Sequence, residues 1–65
     1  MYIQIQPRMH EVLGNYYNVV LVRGETPTKL GFYPNEHQAF VAAIMASRTA
    51  KALGQGDVRV EWEKQ

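Results

Sequence analysis

The stretch NEHQAFVAAIMASRTAKALGQG, residues 35–56, decides the fold of this chain. Asn35 has the side chain of a helix N-cap, and Gln38 follows three residues later in the spacing of a capping box. Glu36 suits the positive end of a helix dipole, while Arg48 and Lys51 suit the negative end. Gly54 and Gly56 supply the left-handed residue on which helices commonly stop. The pattern predicts one helix over residues 35–53.

On a wheel of about 100° per residue, Ala39, Ala42, Ala43, Ala46, Ala50 and Leu53 form a ribbon of small side chains, flanked by Phe40, Ile44 and Ser47. Such a ribbon lets a helix axis lie close to a sheet. Beyond Phe40 and Ile44 comes a basic flank of His37, Arg48 and Lys51. Val41, Met45 and Ala52 are left over, turned away from the ribbon and beside Arg48. Single exposed apolar residues need no explanation, but an adjacent pair in line with a third is a patch. Val41, Met45, Arg48 and Ala52 are therefore the candidate protein-binding residues.

Working outward, residues 2–6, YIQIQ, alternate with period two, and Pro7 should end this strand or mark a sheet edge. RMHEVLGN reads as a connection with Gly14-Asn15 as its turn. YYNVVLVR, residues 16–23, is the strongest strand, apolar on both faces and hence central. GETPT has turn chemistry, and KLGFY follows as a strand with Leu30 and Phe32 inward, Gly31 and Tyr33 outward. Pro34 stops the sheet, and VRVEWE, residues 58–63, returns as a last strand with Val58, Val60 and Trp62 inward, most simply beside the first. The expected fold is α+β in the order β-β-β-α-β: a small antiparallel sheet of three to four strands with a single helix on one face. The helix-sheet contact is expected to bury Ala39, Ala43, Ala46, Ala50, Phe40, Leu21 and Trp62.

Sixty-five residues without cysteine make a single domain, 1–65, near the lower size limit for independent folding. Without cysteine there is no disulfide, thiol nucleophile or thiolate metal site, which fits a reducing compartment. The first ten residues lack the apolar core of a signal peptide, and the longest apolar run, AFVAAIMA, is far short of the ~20 residues that span a bilayer. A soluble, cytoplasmic protein without a membrane partner is expected.

The inventory for catalysis is thin. His10 and His37 each neighbour a glutamate in sequence, and sequence neighbours do not face each other. Ser47 is the only serine, and at the ribbon margin it is expected to bond back to the helix backbone. No HExxH motif or phosphate loop occurs, so no enzyme activity, catalytic residue, cofactor or metal is expected.

Two binding classes remain. The first is a protein-binding module without chemistry, using the helix ridge or, alternatively, the tyrosine-bearing open sheet face with Tyr2, Tyr16 and Tyr33. Its partner is another protein or a second copy of the chain, since a chain this small needs more buried surface. The second is a small nucleic-acid-binding protein using His37, Arg48, Lys51, Arg23 and Lys29, with tyrosines for stacking. Seven basic against six acidic residues disfavour it, as do Glu61 and Glu63 on the open face.

The run GFYPNEHQAFVAAIMA resembles the strand, cap and helix of small bacterial β-β-α-β domains. In general build (small, cysteine-free, with its first strand starting at residue 2) the chain is similar to accessory proteins of phages and plasmids. Some of those, anti-CRISPR proteins included, act by occupying a surface of a host complex. That likeness implies inhibition by surface occupation and fixes no residue.

Overall fold

The computed structural model describes residues 1–64. Strand β1 spans Tyr2–His10, β2 Gly14–Arg23 and β3 Thr26–Tyr33; helix α1 spans Glu36–Ala52, and β4 spans Arg59–Trp62. The fold is α+β in the expected order, with the helix packed against one face of a four-stranded sheet ordered β3-β2-β1-β4. As expected, the last strand lies beside the first. It runs parallel to it, so the sheet is mixed. The reason is length. At about 1.5 Å per helical residue and about 3.4 Å per strand residue, α1 returns the chain along the whole length of β3. The next strand must then start from the end where β3 and β1 start.

The helix begins as its sequence requires: the Asn35 side chain accepts a hydrogen bond from the Gln38 amide at 2.8 Å. It ends in a Schellman arrangement, with Gly54 N–H donating to Lys51 O at 3.0 Å and Gln55 N–H to Ala50 O at 3.1 Å. Gly54 holds φ +81°, a conformation that a side chain would strain.

The core is a thin layer. Ile3 and Ile5 of β1, Val19 of β2, Ala39 and Ala43 of α1, and Val58 before β4 are buried together. Tyr17, Leu21, Tyr33, Ala46, Ala50 and Val60 pack around them. The alanines bring the helix so close that β-branched strand residues fill the gap. Phe40 and Trp62, expected inside, are consequently squeezed to the margin, 41% and 39% exposed, and Leu53 at the helix end is exposed. The Ser47 hydroxyl donates to Val58 O at 2.6 Å rather than back to its own helix, fastening α1 to the chain entering β4.

Strand β1 does not stop at Pro7: it pairs with β2 through His10, with Pro7 opposite Tyr17. Ile5 O accepts Glu63 N–H on the β4 side. Backbone groups alternate along a strand, so Pro7 also points that way, past the Ile5–Trp62 pair where the β4 ladder ends. The missing donor costs no ladder bond there. GETPT likewise shortens to a two-residue turn, Gly24 and Glu25, and Pro27 lies within the edge strand β3.

The facing of β3 differs from expectation. Tyr33 pairs with Tyr17 and Gly31 with Val19, so both lie on the helix face, whereas Phe32 pairs with Asn18 and faces the open side. Between Val19 and Val20 the register shifts, leaving Leu30 as the extra residue of a bulge. Leu30 and Phe32 are exposed as a result.

Candidate functional site

The helix ridge forms as expected. Val41, Met45, Arg48 and Ala52 lie along one exposed stripe, with Val41 42% and Met45 63% exposed. Tyr33 was expected on the open face with Tyr2 and Tyr16, but its ring lies instead on the helix side, where a Cβ on Gly31 would stand 3.3 Å from its hydroxyl. The bare backbone of Gly31 gives the ring its bed. Tyr33 therefore walls a shallow groove of about 530 Å³ with His37, Gln38, Val41, Ala42 and Met45. The ridge is thus one bank of a groove whose other bank is the end of β3. Arg48 lies one turn further along the helix.

The open sheet face divides into two halves. Over β1 and β4 it is polar: the two terminal guanidinium nitrogens of Arg8 donate to the Glu63 carboxylate, one of them at 2.9 Å, and Gln6 donates to Gln4 at 2.8 Å. The hydrogen bond from Arg8 holds the Glu63 carboxyl below the usual carboxylate range. Arg59 pairs similarly with Glu61 at 3.2 Å. Over β2 and β3 the face is apolar. Val20 is buried there, the Tyr16 and Phe32 rings meet edge to face at 6.2 Å, and Lys29 Nζ stands 5.0 Å above the Phe32 ring. Asn18, between Gln6 and Phe32 in the ladder, has a buried Oδ1 with no hydrogen-bond partner. Tyr2 and Tyr16 are half-buried on this face, Tyr2 above the polar half and Tyr16 above the apolar one.

Sequence reasoning missed the end of the β1–β2 hairpin. Met9, Val12 and Leu13 are exposed there, Val12 at 84%. The tip is held in shape by His10, whose Nδ1 accepts from the Val12 and Leu13 amides at 3.1 and 3.2 Å. Beside the tip, Leu13, Tyr16, Phe32 and Pro34 line an apolar cleft of about 490 Å³ with His10 and Lys29 at its rim. The signal was available: a solvated turn has no use for Met, Val and Leu, yet RMHEVLGN carries all three.

The basic residues do not converge. Lys29 stands on the open face, and His37, Arg48 and Lys51 lie on the helix covering the other. His37 and Lys51 are about 21 Å apart along the axis. Lys51 pairs with Asp57 at 3.3 Å, and Arg23 donates to Gln55 at 3.4 Å beyond the helix end. Among the described residues, His, Asp and Glu form no group of three that could hold a metal ion, and no helix is long and apolar enough to cross a membrane.

No known family, curated protein or solved structure matches this chain.

Proposed function

We propose that the chain is a non-catalytic protein-binding module that acts by occupying a surface of its partner through the helix groove. One observation carries this reading: Tyr33 joins Val41 and Met45, so that an isolated apolar pair becomes a groove with an aromatic bank. Arg48 beyond its end and His37 at its start favour a partner segment with an apolar side chain flanked by acidic residues. The finer reading is an inhibitor of a larger host complex, of the kind phage and plasmid accessory proteins provide. It would work in the cytoplasm, where a chain without cysteine loses nothing. The dispersal of His37, Arg48, Lys51, Arg23 and Lys29 over two faces argues against nucleic acid as the ligand.

The test is affinity capture followed by reconstitution with the purified partner. Binding should be lost with Met45→Glu, which puts a charge on the apolar bank of the groove, and weakened at least about tenfold with Arg48→Glu, which sets a carboxylate against the partner's acidic flank. Retention of the partner by both variants, with loss by Tyr2→Glu, would move the site to the open sheet face.

A further inference from the structure

The apolar cleft and hairpin tip on the opposite side of the molecule lie outside that reading. Folded monomers of 7.5 kDa expose about 4,250 Å² by the usual scaling of area with mass. This chain exposes 4823 Å². The chain is thus roughly 570 Å² more exposed than a compact monomer of its mass.

Residues 8–15 of the hairpin are all exposed. Strand β4 pairs only as far as Ile5, and β3 pairs with β2 only from Tyr17 onward. The chain between these limits stands out as a two-stranded ribbon, a form with marginal stability by itself. Its tip carries Val12 and Leu13, and its base adjoins the cleft of Tyr16, Phe32 and Pro34. Leu13 belongs to both knob and cleft.

A surface that carries an apolar knob beside an apolar cleft is complementary to itself under a two-fold axis. The charges agree. Glu11 sits on the tip and Lys29 on the cleft rim, and neither has an ion-pair partner among the described residues. From the surplus area, the shape and these charges, we infer that the hairpin cleft binds a second copy of this chain. Val12 and Leu13 of each copy cover Phe32 and Tyr16 of the other, and each Glu11 meets the other copy's Lys29. The interface is isologous and closed, so it yields a dimer and not a filament. It leaves the helix groove free, and the two surfaces can fail independently.

Sedimentation equilibrium over a wide concentration range tests this. A reversible dimer is expected. Phe32→Glu should leave a monomer with an unchanged circular dichroism spectrum, since Phe32 is 61% exposed in the single chain. Glu11→Lys and Lys29→Glu alone should each weaken the dimer by about tenfold, and the double exchange should restore it, because the pair is only reversed. A wild-type chain that stays monomeric at hundreds of micromolar would overturn the inference. So would a dimer that survives Phe32→Glu and dissolves with Met45→Glu, since the contact would then lie in the helix groove.

Discussion

The sheet is one continuous ladder, yet its two ends live in different conditions. At the helix-covered end, Ile3, Ile5 and Val19 have lost all but a trace of their contact with water under Ala39 and Ala43. At the hairpin end the same two strands continue for several residues beyond the ladders with β3 and β4, and Met9, Val12 and Leu13 stand in solvent. Strand propensity is lower at the hairpin end, where Pro7, Gly14 and Asn15 stand in place of Ile and Val. The larger difference is tertiary burial, and this is where a domain of this size gets its stability. The covered end fixes the fold, and the uncovered end is available for contact.

The sharpest way to break the comparison is to make the same kind of change at both ends. Ile5→Ala should cost about 2–5 kcal/mol, by lost transfer energy and a residual cavity, enough to unfold much of a small domain. Val12→Ala should stay within about 0.5 kcal/mol when measured on dilute protein. Urea denaturation of both variants checks this, and similar costs would mean that the ends are not distinct. Ala43→Leu should follow, costing about 1–3 kcal/mol because the helix has no room to lift from Ile3 and Ile5. An unchanged thermal midpoint would mean that this helix face is not the packed one.

Smaller effects sharpen the contrast between the halves of the open face. Asn18→Val removes a buried acceptor without a partner and supplies a β-branched side chain, so it should stabilise by about 1 kcal/mol in thermal denaturation. A loss of stability would mean that Asn18 is satisfied in solution. In the polar half, the Arg8–Glu63 pair should show as a small pH dependence. The folded-state pKa of Glu63 is lowered, chiefly by the hydrogen bond from Arg8. Its contribution is therefore present in full above the ordinary carboxylate value near ~4.3 and fades as pH falls through the lower folded value. Wild type should lose stability over that acid range more steeply than Glu63→Gln, and parallel curves would count against the pair.

Much of this was legible in the residues. Asn35, Gln38 and Gly54 mark the helix, because capping chemistry is local. Ile3 and Ile5 declare their face because glutamines alternate with them. The third strand was harder. KLGFY offers Leu and Phe in one phase and Gly and Tyr in the other, and hydrophobicity chooses the wrong one. Pairing with Tyr17 and Val19, together with the bulge at Leu30, chooses the other phase, and neither is a property of the segment itself. The same error hid the groove at Tyr33 and the cleft at Phe32. Pro7 misled in a similar way, since whether a proline ends a strand depends on which neighbour its missing N–H would have faced. Val41 and Met45 were visible because helical spacing alone separates them from the alanine ribbon.

The distinction between a covered and an available end is tested most directly by amide hydrogen exchange at several protein concentrations. The amides of Gln4 and Val20, in the ladder beneath the helix, should exchange only by global unfolding, whereas those of Arg8, His10 and Tyr16 open locally. The account predicts that exchange at Arg8, His10 and Tyr16 slows progressively as concentration rises. Gln4 and Val20 should stay far better protected than these at the lowest concentration. Hairpin amides as protected as the core in dilute solution, or unmoved by concentration, would contradict it.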